Sequence, residues 1–595
     1  MIGGAQPALD DAFDSFAPAE MVAVPRDAML GHLRPVGRYA VDRRATERRG
    51  ALTMHQYRVS AAAYRGSEVA IHLRLCVADP NDKRVVLSIP GGGGAFQEET
   101  LWWLSGRFQE NHAAVDWLGR GRSPEHPHLR CDYDPMYMPE DHIEDAFLFH
   151  NLAAIWAALD WLFHIGYRPS AVAGGSWGGV LSFLIAALDR RVARVFATFG
   201  CGGMGFPGVE KRSMWDAAIE AMGPRRTALW RSAFDPLLRL GDIAARVYYE
   251  TAANDKFFSI GMAMETVRRV ATLDFLSIVA NQDHTMQPYG VQPYVVQHLP
   301  PEQLRQCAAT NDIRLEWDAR AASVIAAPLP DDSPDIRLLW SEQLPAHGNM
   351  SREWFALAAD EARNGRAVFR MPRTSPEAAA LFFLNRPVRL DAATTINTST
   401  AIFRAGAQTP PAAASAAALH RTLLTAAGAD PWPAPVGDKS HPPVAAEEAG
   451  WRVRFSAMPR ARVTRFGVRP WLLPRRWLAI EVALAAPLPE TAAPLVLFLS
   501  RRYQRNDEEA VGQAFSDAES RRDGARRIYR FRRDRFMPTV VVEERFRSHA
   551  LPPAEAVLDD FDAVGIIDPA GRVAADIVLV SIEICQHDPA GDFRR

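Results

Sequence analysis

The residues around Ser176 constrain the fold more than any other stretch of the chain. Residues 171–173 form a short apolar run typical of a buried strand, and residues 180–188 form an apolar, helix-forming run. Between them, residues 174–178 match the pattern G-x-S-x-G, in which a serine stands in a sharp turn between a strand and a helix. Glycines leave room for the neighbouring backbone, so such a turn holds the Ser176 hydroxyl where a base can reach it. A glycine-rich turn can contain a serine by chance, so the surrounding pattern has to decide.

The surrounding pattern is an alternation of strand-like and helix-like runs from residue 84 to residue 284. This alternation predicts a mostly parallel sheet with helices on both faces. In such sheets the functional groups lie just past the carboxyl ends of the strands. Ser176, Asp255 and His284 each follow a predicted strand, in the order nucleophile, acid, base. Glu250 and His298 are the alternative acid and base.

Four consecutive glycines, residues 91–94, follow the apolar strand-like run 84–89. A phosphate-binding loop would continue with Gly-Lys-Ser/Thr, and this chain does not. Backbone N–H groups without side chains can instead approach a reacting oxygen closely. We therefore expect the N–H of Trp177, together with one from Gly92 or Gly93, to bind a developing oxyanion.

The length of 595 residues exceeds what one hydrophobic core can hold, so several domains are expected. Within the central domain, residues 203–245 are rich in helix formers and predict a helical cap inserted over the site. After residue 300 the pattern becomes one of short strands, which predicts two all-β sandwiches, the second like a jelly roll. The predicted domains are a lead-in at 1–50, the α/β catalytic domain at 51–299, a β-sandwich at 300–405, an Ala/Pro-rich linker at 406–445 and the second sandwich at 446–595.

Composition narrows the function classes. A net charge of −2 gives no global field for nucleic acid or an acidic membrane, and the arginines of residues 521–535 are interpreted as a solvated strand face. No signal peptide and no membrane span is predicted, and five scattered cysteines fit a cytoplasmic protein. The segment 125–132 carries metal-ligand types without the spacing of a metal site, so no metal and no organic cofactor is expected: Glu125, His126, His128, Cys131 and Asp132.

Over residues 50–300 the chain resembles the α/β-hydrolase superfamily. The resemblance rests on the glycine loop, residues 116–123, the motif around Ser176, residues 189–192, and Asp255 with His284. Within the superfamily it is similar to the acetyl xylan esterase, cephalosporin-C deacetylase and dienelactone hydrolase branch. Pro90 stands where a histidine often precedes the glycines, unlike the hormone-sensitive-lipase-like branch. A catalytic domain followed by a jelly roll also resembles the cocaine-esterase and X-prolyl peptidase group, but here an extra sandwich intervenes.

This resemblance implies a serine esterase that cleaves carboxylic esters through an acyl-enzyme. Ser176 would attack the carbonyl, His284 would transfer the proton and Asp255 would orient His284. The implied substrate is a small-molecule or carbohydrate ester, with acetyl groups as one candidate, and a homo-oligomer stays open. Two alternatives also stay open: an acyltransferase or peptidase with the same triad, and an inactive hydrolase fold that binds glycans.

Overall fold

The computed structural model describes the following residues: 10–11, 23–36, 39–92, 94–129, 141–204, 215, 219, 221–253, 255, 257–280, 284, 296, 299, 301–318, 323–330, 336–343, 354–370, 379–389, 395–405, 421–425, 444–447, 450–453, 462–466, 479–486, 496–500, 510–515, 520–533, 563–567 and 577–585. They divide into two compact units. The first comprises residues 1–344, 355–374 and 378–407, and the second the rest of the chain.

A nine-stranded sheet organises the first unit. Its spatial order is β9-β8-β7-β6-β4-β5-β3-β2-β1, with parallel pairing from β9 through β5 and antiparallel pairing from β5 to β1. The central strands are nearly continuous apolar runs because helices cover both faces. The strands are Ala40–Arg49 (β1), Leu52–Tyr64 (β2), Ser67–Val77 (β3), Arg84–Ile89 (β4), Asn111–Val115 (β5), Arg168–Gly175 (β6), Arg194–Thr198 (β7), Arg246–Ala252 (β8) and Leu273–Val279 (β9).

Helices pack on both faces of this sheet. On one face Trp102 packs with Met54 and Cys76, and on the other Trp161 contacts Tyr57, whose ring centroid lies 4.4 Å away. The helices of this region are Arg26–Val36 (α1), Glu98–Phe108 (α2), Phe147–His164 (α3), Trp177–Leu188 (α4), Pro224–Phe234 (α5), Ile260–Arg269 (α6) and Pro301–Ala308 (α7). The expected α/β layer architecture is therefore present.

The bounds of β4 and β8 coincide with the apolar runs 84–89 and 246–252, each of which predicts a strand, whereas other bounds differ. β1 lies in the segment predicted as a lead-in, so the sheet begins before residue 51. Its side chains are mostly exposed because β1 is an edge strand, and an exposed charged strand carries no hydrophobic pattern. Apolar residues recur at helical spacing over 141–163, which predicts one long helix, but the structure divides this segment into a 3₁₀ turn at Ile143–Asp145 and α3.

The residues predicted as a cap, 203–245, are described in part. They contain α5 and two short 3₁₀ turns, Pro236–Leu238 and Leu240–Asp242. No helix among the residues described is long and apolar enough to cross a membrane.

After α7 the first unit continues as two antiparallel sheets of four and six strands. Facing side chains of the two sheets pack into one apolar cluster that includes Trp317, Phe369 and Phe382. The four-stranded sheet contains Arg314–Asp318, Ser323–Ala327, Arg366–Arg370 and Glu361–Arg363, and the other contains Asp10–Asp11, Phe403–Ala405, Ala379–Arg389, Arg337–Gln343, Phe355–Ala358 and Thr395–Ser399.

The second unit is also all-β where it is described, with sheets of seven and four strands. One strand, Arg421–Thr425, lies in the segment predicted as a linker. It pairs with Ile577–Cys585, which shows that Thr and Leu within an Ala/Pro-rich stretch suffice for a strand once a partner is present. Within the predicted arginine face, Arg530 is buried beside Glu481 rather than solvated.

Candidate active site

Ser176 stands at the turn between β6 and α4. Its backbone has φ 57° and ψ −127°, a conformation that costs a non-glycine residue free energy and is typical of this kind of turn. A Cβ at Gly174 would lie 2.3 Å from the backbone of Gly178, and a Cβ at Gly178 would lie 2.2 Å from the carbonyl oxygen of Ile89. The two glycines flanking the serine are therefore required by close backbone packing, as the sequence pattern predicted.

The glycine loop lies against this turn. A Cβ at Gly91 would lie 3.4 Å from Cβ and 3.9 Å from Oγ of Ser176, and one at Gly92 would lie 2.4 Å from Cδ1 of Trp177. Gly92 and Trp177, two of the predicted oxyanion-hole residues, are thus neighbours, and Gly93 lies outside the described residues. Gly91, which the sequence did not single out, is the loop residue whose missing side chain faces the serine.

A buried ion pair holds the far end of the glycine loop. Arg74 pairs with Asp116, and neither side chain is more than 4% exposed. The Asp116 carboxylate also accepts hydrogen bonds from the backbone N–H groups of Phe96, at 2.9 Å, and Arg122, at 3.1 Å. Because these donors come from both sides of the carboxylate, Asp116 fixes the segment that follows the four glycines.

Asp255 and His284 are brought together although 29 residues separate them. Nδ1 of His284 lies 2.7 Å from Oδ2 of Asp255, whose side chain is fully buried. The other oxygen, Oδ1, accepts hydrogen bonds from the backbone N–H groups of Phe257 and Phe258 at 2.7 and 3.0 Å. The carboxylate is therefore held by its own turn and presents one oxygen to the imidazole.

Aromatic rings surround the imidazole of His284. The ring centroids of Phe199, Phe257 and Phe258 lie 4.3, 4.8 and 5.8 Å from that of His284. Trp215, from the predicted cap, stacks on Phe257 at 5.4 Å and meets Trp177 edge-on at 5.3 Å. No sequence pattern indicates these contacts, because the rings come from four separate segments of the chain.

The structure describes the alternative acid, Glu250, but not the alternative base, His298. Glu250 lies within β8, fully buried, and burial raises the pKa of its carboxyl group well above its usual range. Burial thus favours the neutral form of this carboxyl group, which is a poorer partner for an imidazolium than a carboxylate. His298 lies outside the described residues.

In the segment 125–132, which is rich in potential metal ligands, His126 makes local hydrogen bonds instead. Nε2 of His126 lies 3.2 Å from the carbonyl oxygen of Ser67, and its Nδ1 accepts the backbone N–H of His128 at 3.2 Å. Cys131 and Asp132 lie outside the described residues. Among the residues described, no group of three or more His, Cys, Asp or Glu side chains is arranged to hold a metal ion.

No family model and no curated protein matches the chain. Among solved structures it is similar to acetyl xylan esterases from Paenibacillus sp. R4 and Thermoanaerobacterium sp. JW/SL YS485, at 16% and 13% identity and a TM-score of 0.37 for each. Each similarity covers 47% of this chain, with 94% and 93% of the respective esterase. It is also similar to a Pyrococcus horikoshii acylaminoacyl peptidase at 10% identity and a TM-score of 0.29, over 39% of this chain and 44% of that one.

The fold assignment rests on the geometry of the chain itself. The mixed sheet, the strained serine after β6, the acid after β8 and the histidine after β9 follow the order Ser, Asp, His along the chain. The first unit contains an α/β-hydrolase-like sheet. The resemblance to the α/β-hydrolase superfamily predicted from the sequence is thereby confirmed, and further all-β sheets follow it.

Proposed function

We propose that the protein is a serine hydrolase that cleaves carboxylic esters, with Ser176, His284 and Asp255 as its catalytic triad. The observation that carries the proposal is the 2.7 Å bond from His284 to a fully buried Asp255, in a domain whose serine stands in a strained turn beside a glycine loop. The arrangement has two halves, the turn that holds Ser176 and the pair of His284 with Asp255. Together they supply a nucleophile, a base and a group that orients the base.

The proposed mechanism follows from these positions. An N–H on Nδ1 of His284 donated to Asp255 leaves Nε2 free to take the proton of Ser176 as its oxygen attacks the ester carbonyl. The oxyanion would be bound by the N–H of Trp177, at the start of α4, and by an N–H of the glycine loop, from Gly92 or Gly93. The alkoxide leaves with the proton from His284, and water then cleaves the acyl-enzyme by the reverse proton transfers. This scheme uses no metal and no organic cofactor.

We also propose a substrate class, roles for the other parts of the chain and a cellular location. A small-molecule or carbohydrate ester, acetylated sugars included, is the proposed substrate class, and no nucleic acid or membrane is a proposed partner. We propose residues 203–245 as a cap, since Trp215 lies beside Trp177. The β-sheets after residue 300 are proposed as sandwich modules, the second jelly-roll-like, that bind a glycan or join copies of the chain. A cytoplasmic location is proposed from the buried free thiols of Cys76, Cys201 and Cys307.

Removal of the nucleophile tests the proposal. Ser176→Ala is expected to lower turnover of p-nitrophenyl acetate by roughly 10⁵–10⁶-fold, by analogy with serine-protease knockouts, and to abolish labelling by a fluorophosphonate. Ser182→Ala, a buried serine in α4 whose hydroxyl bonds to the carbonyl oxygen of Gly178, is the matched control and should be labelled normally. Turnover near wild type in Ser176→Ala would end the catalytic interpretation. A wild-type protein that is never labelled would favour the inactive glycan-binding alternative.

Acyl transfer and peptide cleavage are distinguished from ester hydrolysis by product analysis. Wild-type protein is incubated with p-nitrophenyl acetate in the presence and absence of an acceptor sugar, and separately with a peptide p-nitroanilide. Hydrolysis predicts free acetate whether or not the sugar is present. An acetylated sugar as the main product would identify a transferase, and faster cleavage of the anilide than of the ester would identify a peptidase.

A further inference from the structure

We propose that Phe199 is a positioning residue for His284, whose ring holds the imidazole in place and stabilises the imidazolium formed at each proton transfer. The inference rests on the proposed function, because it takes His284 as the base. It concerns a residue for which the sequence carries no motif.

The backbone of Phe199 is strained. Its φ is 65°, in the left-handed region where a bulky L-residue is a genuine outlier. The strain is held from both sides: the N–H of Phe199 donates to the carbonyl oxygen of Glu250 at 2.8 Å, and the hydroxyl of Tyr249 donates to the carbonyl oxygen of Phe199 at 2.9 Å. Glycine would adopt this conformation without the penalty. A phenylalanine kept in a strained position points to a use for its ring.

The turn that contains Phe199 also contacts the nucleophile. The N–H of Ser176 donates to the carbonyl oxygen of Thr198 at 2.8 Å, and a Cβ at Gly200 would lie 2.1 Å from the carbonyl oxygen of Ser176. The residues before and after Phe199 are thus packed against the backbone of Ser176. One three-residue turn therefore positions the backbone of the serine and, through the ring of Phe199, the imidazole of His284.

The ring geometry suits a charge that appears and disappears. The planes of Phe199 and His284 are inclined by 34° with centroids 4.3 Å apart, so the imidazole lies over a ring face. Phe258 is inclined similarly, at 31°, but its centroid is 5.8 Å away, and Phe257 meets the imidazole nearly edge-on at 69°. The face of an aromatic ring carries negative potential and attracts a cation within about 6 Å of its centroid. The hydrogen bond to Asp255 fixes the position of Nδ1, but the imidazole can still rotate about the line that joins Nδ1 to Oδ2. Contact with the face of Phe199 restricts this rotation, and the imidazolium gains more from the contact than the neutral ring does.

Several other titratable groups lie close to His284 or to the turn that holds Phe199. Asp255 contacts it directly, and the buried thiol of Cys201 interacts with that carboxylate. Tyr249 and Glu250 hold the backbone of Phe199. Burial raises the pKa of Cys201, Tyr249 and Glu250 well above their usual values, which favours their neutral forms. Among the residues described, the imidazolium is therefore faced by the carboxylate of Asp255 and by the rings of Phe199, Phe257 and Phe258, of which Phe199 is the nearest.

The test compares Phe199→Leu with Phe199→Tyr. Leucine keeps the bulk and the same backbone penalty but lacks the ring face, whereas tyrosine keeps the face. We expect Phe199→Leu to lower kcat for p-nitrophenyl acetate by roughly 5- to 30-fold with little change in KM, the range that corresponds to a desolvated cation–π contact. The acid limb of kcat/KM should move to lower pH, because the imidazolium loses a stabilising contact. Phe199→Tyr should keep both kcat and the position of the acid limb close to those of the wild-type protein.

Two controls separate this outcome from general damage. Phe196→Leu removes a buried ring from β7, the strand that ends just before Phe199. This ring stacks on Tyr248 instead of His284, so the variant should leave kcat and the acid limb unchanged. Glu250→Gln should leave the acid limb in place. The inference is overturned if Phe199→Leu keeps the wild-type kcat and acid limb, if Phe196→Leu shows the same shift, or if Glu250→Gln moves the limb. Failure of the proposed function looks different, since the wild-type protein would then neither turn over ester nor react with a fluorophosphonate.

Discussion

At the scale of single residues, Asp255 illustrates how one side chain is both anchored and functional. One carboxylate oxygen is held by two backbone N–H groups of its own turn, and the other bonds to His284. In Asp255→Asn the side chain keeps its size, but an amide NH₂ facing Nδ1 favours the wrong imidazole tautomer. We expect turnover of p-nitrophenyl acetate to fall by roughly 10⁴-fold, by analogy with the same change in serine proteases.

The control for this prediction is the other buried acid at the same end of the sheet. Glu250→Gln removes a carboxyl group whose neutral form burial favours, so turnover should stay within a small factor of wild type. A large loss in Glu250→Gln with little loss in Asp255→Asn would make Glu250 the acid and would remove Asp255 from the triad.

Asp235 predicts a pH dependence of stability. Burial raises the pKa of its carboxyl group to about 6, although N–H groups of Gly203, Met204 and Leu237 donate to it. The native state therefore binds a proton that the unfolded chain releases near its ordinary pKa of 3.8. This contribution to stability is present below about pH 4 and is lost as the pH rises through 6, and it amounts to roughly 3 kcal/mol.

Asp235→Asn isolates this contribution, because other groups titrate equally in both proteins. The thermal midpoint of wild type minus that of Asp235→Asn should fall between pH 4.5 and pH 7 and stay level above. A difference that is constant over this range, or that grows with pH, would contradict the prediction. The N–H donors around Asp235 make the variant less stable at every pH, so the slope of the difference is the readout.

At the scale of structural elements, the glycine loop depends on a buried ion pair outside it. Asp116→Ala leaves the buried guanidinium of Arg74 without its carboxylate and releases the N–H groups of Phe96 and Arg122. Breaking a buried pair in this way typically costs about 3–5 kcal/mol. We expect the free energy of unfolding of the first unit, measured in urea, to fall by this amount. Ester turnover should fall as well, because the loop loosens.

A surface pair provides the comparison. Glu47→Ala removes one of the two carboxylates that pair with Arg49 on β1, the other being Glu99. The side chains of Arg49 and Glu47 are about four-tenths exposed, so the variant should leave the unfolding midpoint almost unchanged. The double variant Arg74→Met, Asp116→Leu should recover part of the loss, since it leaves no unpaired buried charge. Equal effects of Asp116→Ala and Glu47→Ala would show that the buried pair does not hold the loop.

The same scale shows what the sequence could and could not predict. β4, β8 and the turn at Ser176 were predictable because apolar runs and glycines act locally. β1 was missed because an exposed edge strand carries no apolar pattern, and Phe199 because its strain arises from hydrogen bonds to Tyr249 and Glu250 on the next strand. The contacts of Trp215 with Phe257 and Trp177 join distant segments, which no local pattern encodes.

At the scale of the whole molecule, residues that follow position 300 pack against the α/β sheet. One apolar cluster joins Phe196, Tyr248 and Phe275 of the sheet to Cys307, Val388 and Ile396, which follow it in the chain. On edge strand β9 the N–H of Ile278 donates to the hydroxyl of Ser399 at 2.8 Å. Together, α7 and the strands after it therefore cover both an apolar face and an open edge of the sheet.

Two truncations test whether this cover is required. A fragment of residues 1–300 would expose the rings of Phe196, Tyr248 and Phe275 together with β9, and exposed apolar faces and unpaired edge strands promote association. We expect it to aggregate. A fragment of residues 1–407 keeps the covering strands, so it should be recovered as a soluble protein that hydrolyses p-nitrophenyl acetate at a rate close to that of the full chain. Size-exclusion chromatography and turnover of both fragments are the measurements. A soluble, fully active 1–300 fragment would show that the α/β sheet is stable without its cover, and an inactive 1–407 fragment would show that the second unit is needed for catalysis.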